Sequence, residues 1–100
     1  MTSRSSRDVL QPEQFELIAK ALSDPRRVAL LEAIASEQCC PCSNLRAQFP
    51  VSKATISHHI KELVRAGLVR AQRRGQFLHC FVRKDVLEAY TQALLRRVGG

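Results

Sequence analysis

The chain is 100 residues long, which allows one domain and a small core. Hydrophobic residues make up 45%, a share that suits a folded globule and excludes a disordered polyelectrolyte. Sixteen Lys and Arg against nine Asp and Glu give a net charge of +7, which favours a polyanionic partner. Four Phe, one Tyr and no Trp argue against a base-stacking platform for single strands. No run reaches the length of a membrane span. The first seven residues, with Arg4 and Arg7, lack the apolar centre of a signal peptide. Residues 1–11 read as a disordered basic arm and 12–98 as the folded unit, with a cytoplasmic location as the default.

In chain order, the first expected helix runs from Pro12 to Leu22, with Pro at a first helical position and Phe15, Ile18, Ala21 and Leu22 as its apolar stripe. Asp24 caps a second helix with Pro25 at its first position; Val28, Leu31 and Ala35, flanked by Leu30 and Ile34, form its buried face. Arg26 and Arg27 stand in its first turn, where the helix dipole disfavours cations, so something must offset them. For Arg27 an acidic side chain of the fold is the preferred answer; Arg26 is left between that and a phosphate.

A short third helix is expected within Cys42–Phe49, and Pro50 stops it. Ser52 then caps a longer helix that ends at Gly67, with Ile56, Ile60, Leu63 and Val64 on one stripe. The opposite side carries Ala54, His58, Lys61 and Arg65, with Thr55 and Glu62 on one flank and Ser57 on the other. Small residues let a helix approach a surface closely, and hydroxyl, imidazole and ammonium groups can meet base edges and phosphates. Short helix, tight turn and longer helix make a helix-turn-helix. Residues 68–82 follow as a hairpin turning at Arg74-Gly75-Gln76, a basic wing armed by Arg70, Arg73 and Arg74. A last helix spans Lys84–Val98 with Val86, Leu87, Tyr90, Ala93, Leu94 and Val98 as its stripe. The expected fold is therefore mainly α (α+β): a winged helix-turn-helix of five helices and a two-stranded wing, ordered α-α-α-α-β-β-α. So small a domain has little core for both end helices. They are expected to pair with a second copy through Phe15, Ile18, Leu22, Leu87, Tyr90 and Leu94, which would set two reading helices in successive major grooves.

Residues 21–31 (ALSDPRRVALL), 51–63 (VSKATISHHIKEL) and 66–69 (AGLV) together resemble the ArsR/SmtB winged-helix repressors, over roughly residues 12–96. The resemblance implies a homodimeric bacterial regulator that binds a palindromic operator and leaves it when an effector binds. Groove contacts would fall to Ser52, Lys53, Ala54, Thr55, Ser57, His58 and Lys61, and backbone or wing contacts to Arg65, Arg73, Arg74 and Gln76.

Cys39, Cys40 and Cys42 stand within four residues, and Cys80 lies alone in the wing. Thiolates are soft ligands, and three of them suit trivalent arsenic or antimony but fall one short of a closed zinc site. Cys40-Pro41-Cys42 resembles in place the Cys-x-Cys pair of arsenic-sensing relatives, in a register one residue away from theirs. The last helix has Asp85 and Glu88 but no His, so the other sensor site of the family is rejected. A thiophilic metalloid effector is preferred, with no cofactor required. Thiol redox or persulfide sensing, a buried structural role for the cysteines, and a winged helix that binds only protein are the alternatives. An enzyme, in the form of a thiol oxidoreductase, ranks last because no Cys-x-x-Cys occurs in a strand-helix setting. Of the histidines, His58 faces outward, His59 sits at the edge of the stripe, and His79 has no evident role.

Overall fold

The computed structural model describes residues 10–36, 40–41, 45 and 49–99, with the backbone alone for 40 and 41. Four helices stand among the described residues: α1 (Pro12–Leu22), α2 (Pro25–Ala35), α3 (Lys53–Arg65) and α4 (Lys84–Val98). Leu45, from the expected short helix before α3, is helical and fully buried. The wing is β2 (Val69–Arg74) and β3 (Phe77–Val82), antiparallel, with Arg74 opposite Phe77 and Val69 opposite Val82. Gly75 has φ +62°, and Gly at the first position of a two-residue loop matches the twist of the strands it joins.

The sheet has one more strand than the sequence indicates. Cys40–Pro41 forms a short β1 on the free edge of β3, giving the order β1-β3-β2. No two-residue stretch carries a readable period, so such a strand becomes visible only through its partner.

α3 is defined at both ends by its own residues. The Thr55 N–H donates to Ser52 Oγ at 3.2 Å, a cap that stabilises a helix by about 1 kcal/mol. At the other end Gly67 has φ +86°, the Gly67 N–H reaches the Val64 carbonyl at 2.9 Å and the Leu68 N–H reaches that of Leu63 at 3.0 Å. These are the paired bonds of a Schellman ending, and Leu63 and Leu68 are both wholly buried beside it.

The core is continuous through all the layers: Ile18 from α1, Leu30 and Ile34 from α2, Leu45 between α2 and α3, Ile56 and Leu63 from α3, Cys80 from β3 and Val86 from α4. α2 lies against β3 and α3, and α1 against α2 and α3. Four expectations shift. On α3 the buried stripe is Ile56, His59, Ile60 and Leu63, while Val64 is exposed; the face turns toward His59 because it is centred on the i, i+3, i+4, i+7 set. On α2 the buried residues are Leu30, Leu31 and Ile34, and Ala35 is exposed at the helix end. Ile18, expected between subunits, is 0% exposed within its own chain, so it backs the surface of α1 and does not line it. Leu10 and Gln11, expected in the arm, belong to the folded unit: Leu10 packs on the core, and the Gln11 N–H donates to Gln14 Oε1 at 3.1 Å at the start of α1.

Candidate nucleic-acid interface

The outer side of α3 is a continuous exposed surface. Ser52, Lys53, Ala54, Ser57, His58, Lys61 and Arg65 are exposed and Thr55 is half-buried. After Lys53 at its first position, the helix presents Ala54, Thr55 and Ser57 before Lys61 and Arg65. Ser52 and Thr55 hold each other, their hydroxyl oxygens 3.0 Å apart, so the first turn offers a fixed polar ridge. Arg73, Arg74 and Gln76 are exposed at the end of β2 and in the wing loop. From Lys53 to Lys84 the sequence holds one carboxylate, Glu62, against six cations on α3 and β2. A surface with that balance attracts phosphates.

Two contacts that support this surface go beyond the sequence reading. The first organises the wing. The Arg70 guanidinium lies 5.0 Å from the Phe81 ring centre and that of Arg74 lies 5.5 Å from it. Phe81 sits opposite Arg70 in the register and shares its face of the sheet. The ring thus orders two long cations that would otherwise lose more rotamer freedom on meeting a phosphate. Counting back from the Gly75-Gln76 loop would have found the Arg70 pair.

The second contact fixes the exit of α3. Gln14 Nε2 on α1 donates to the Ala66 carbonyl at 2.9 Å, across 52 residues of sequence. It satisfies a carbonyl at the end of α3 and ties this helix to α1.

Behind α3 lies a polar knot. Asp24 caps α2 by accepting from the Arg26 N–H at 2.9 Å, and that bond, with the neighbouring guanidinium groups, holds its carboxyl below the usual range. Arg27 turns away from the outer surface. Its Nε donates to the Ala21 carbonyl at 2.8 Å, its Nη2 to that of Lys20 at 3.2 Å, and its Nη1 lies 3.8 Å from Asp24 Oδ2. So an acidic side chain of the fold, with the last carbonyls of α1, offsets Arg27; Arg26, 67% exposed in its side chain, also reaches Asp24 at 3.4 Å. Arg27 Nη1 meets His59 Nδ1 at 3.4 Å. A guanidinium only donates, so Nδ1 accepts and the ring proton sits on Nε2, which is buried with no partner among the described residues. Loss of water pushes His59 below the ordinary imidazole range; the Arg27 charge adds to this and Asp24 opposes it.

The first and last described helices, α1 and α4, also meet. The rings of Phe15 of α1 and Tyr90 of α4 meet at a tilt of 40° with centres 5.1 Å apart, and the Arg97 guanidinium covers Phe15 at 3.8 Å. Phe15, Leu22, Leu87 and Tyr90 are half-buried there. Leu94, Leu95 and Val98 are 40%, 65% and 73% exposed, so the apolar surface of α4 extends to Leu95. Cys39 and Cys42 lie outside the described residues. Cys80 is fully buried on β3. No helix among the described residues is long and apolar enough to cross a membrane.

A capped reading helix, a turn before it and a cation-bearing hairpin after it define a winged helix-turn-helix. A family profile described as a helix-turn-helix domain matches residues 22–72. An arsenical resistance operon repressor of Staphylococcus xylosus is 36% identical over 63 residues, covering 63% of this chain and 60% of that one. A transcriptional repressor SmtB homologue of Synechocystis sp. is 35% identical over 66 residues, covering 66% of this chain and 49% of that one. The chain therefore spans about half to three-fifths of the length of these relatives. An ArsR-like transcriptional regulator from Rhodococcus sp. RHA1 superposes with a TM-score of 0.77 at 25% identity, covering 87% of this chain and 80% of that one. The chain belongs to the ArsR/SmtB family of winged helix-turn-helix transcriptional regulators. Both of these curated relatives are named as repressors of transcription or of a resistance operon.

Proposed function

We propose that this chain is a homodimeric cytoplasmic repressor. It binds operator duplex through α3 and the wing, and it releases the duplex when a thiophilic effector, trivalent arsenic or antimony, meets its cysteines. The observation that carries the reading is the outer face of α3: Lys53 and then small and hydroxyl residues in its first turns, Lys61 and Arg65 toward its C-terminus, and no exposed apolar side chain larger than Ala until Val64. Such a helix enters a major groove with its first turns nearest the bases, where Ser57, His58 and Lys61 reach base edges and Lys53 and Arg65 reach phosphates. The wing arginines add sequence-independent backbone contacts.

The dimer reading rests on the exposed Leu94, Leu95 and Val98 of α4 beside the Phe15–Tyr90 pair. An apolar strip of this kind is costly to leave in water, and a second copy provides a matching strip. The effector reading rests on the soft donors at 39, 40 and 42 and on the likeness to an arsenical resistance operon repressor.

Selection of bound fragments from a random duplex library tests this reading. The expected product is an inverted repeat with half-sites about one helical turn apart, retained in reducing buffer and lost on adding arsenite. A library that stays unenriched overturns the operator reading, and a repeat indifferent to arsenite overturns the effector.

A further inference from the structure

We propose that Phe77, at the tip of the wing, is an apolar wedge that enters the minor groove beside each half-site and opens a base step there. This deepens the duplex-binding reading above and rests on it.

Phe77 is the first residue of β3, directly after the Gly75-Gln76 loop, and it is 51% exposed. Alternation along β3 puts Phe77, His79 and Phe81 on one face of the ribbon and the fully buried Cys80 on the other. The ring of Phe77 therefore points away from the chain's own core. The nearest cation in the register does not shield it. Arg74 stands opposite Phe77, yet its guanidinium lies 5.5 Å from the ring centre of Phe81, farther from the loop. A large apolar side chain is thus left bare at the end of a basic hairpin, where a burial rationale within the chain is missing.

The surroundings choose the occupant. Arg73 and Arg74 are consecutive and exposed, so they leave opposite faces of the ribbon at its tip. An apolar ring flanked by cations suits a polyanion with an apolar interior. A duplex is one, with phosphates outside and stacked bases within. A second copy would bring the same cations against these. The tip is also slim: Gly75 adds no side chain, and a Cβ there would meet nothing within 4 Å. The strands behind it stand about 4.8 Å apart, against a minor groove about 6 Å wide. A Phe wedged between base pairs kinks the duplex by roughly 20–90° toward the major groove, the groove assigned above to α3. Pyrimidine–purine steps unstack most readily. Phe77 therefore selects sequence at a position where no side chain need hydrogen-bond to a base.

The test compares the full chain with Phe77→Ala and Phe77→Leu. The ring is outside the core, so both variants should keep the urea midpoint. Selection from the random duplex library should give the unaltered chain a TA or CA/TG step at a fixed distance outside each half-site. Phe77→Ala should keep the half-sites and lose that step. On a selected duplex, Phe77→Ala should bind about tenfold more weakly in fluorescence anisotropy, the low end of what one base–aromatic contact contributes. Its salt slope should be unchanged, because no cation is lost. Mobility of circularly permuted fragments should show a smaller bend with Phe77→Ala and most of the bend with Phe77→Leu, which still offers a wedge. Unaltered affinity, step preference and bend in Phe77→Ala overturn the wedge and leave the duplex reading standing. Weakened self-association of Phe77→Ala in sedimentation equilibrium overturns it as well, by assigning the ring to a second copy. Absence of salt-dependent duplex binding by the unaltered chain removes the duplex reading itself, and the wedge with it.

Discussion

Replacing Gly67 by alanine should disturb the junction where the reading helix turns into the wing. Gly67 sits at φ +86°, and a Cβ there would run into the Gln14 amide nitrogen. A left-handed conformation costs an L-residue with a side chain about 1–2 kcal/mol. Displacing Gln14 loses its bond to the Ala66 carbonyl, a further net loss of about 0.5–1.5 kcal/mol. Gly67→Ala should therefore lose about 2–3 kcal/mol, and for a domain of this size each kcal/mol lowers Tm by roughly 4–8 °C. Gln14→Ala alone should lose about 1 kcal/mol. In the Gln14→Ala background the obstacle is already gone, so Gly67→Ala should cost only its conformational part, and the two losses should fall short of additivity by about 1 kcal/mol. Urea unfolding followed by helical circular dichroism, at one fixed protein concentration, measures all four corners of the cycle. Additive losses, or a Gly67→Ala loss below about 0.5 kcal/mol, would refute the coupling of α1 to the end of α3.

Three further expectations concern the knot, the chain ends and the wing. The pKa of His59 is depressed in the folded state, so the unfolded chain takes up its proton first; its contribution to stability is full above the ordinary value of 6.5 and declines as pH falls below it. The urea midpoint should drop between pH 7.5 and 5.5, and His59→Leu should flatten that drop; an equal drop in the variant would contradict the assignment. Leu95→Glu and Val98→Glu should weaken self-association at least about tenfold in sedimentation equilibrium, while the monomer, whose core they do not enter, keeps its unfolding midpoint within about 0.5 kcal/mol. Phe81→Leu should weaken duplex binding by about 0.5–2 kcal/mol with the salt slope retained, because both guanidinium groups remain; Arg74→Ala should instead lower that slope by about one.

What could be read in the chain, and what could not, divides by the range of the interactions. The limits of α3 were legible because Ser52 and Gly67 act on their own neighbours, and the hairpin because Gly75 marks its loop. Arg27 was legible in kind, since a cation in a first turn demands an offset, and Asp24 stands three residues away. The errors lie where a residue's type and its environment disagree. His59 is buried at 5% exposure while Val64 is exposed, so reading polarity alone put the stripe one residue off. Ile18 belongs to any apolar stripe, but only packing shows that the stripe faces inward. The Gln14–Ala66 bond and the Cys40–Cys80 register join residues far apart in sequence, and no local period encodes them.

The central claim is that α3 and the wing hold duplex DNA. Fluorescence anisotropy of a labelled 30-base-pair duplex, titrated with the reduced chain across a salt series of about 50–200 mM, tests it most directly. The account predicts binding whose logarithm falls linearly with that of the salt concentration, with a shallower slope in Arg73→Ala/Arg74→Ala and a weaker, equally steep response in Ser57→Ala/His58→Ala on a selected operator. Binding that is absent at low salt, or a slope unaffected by removal of the wing arginines, would contradict it.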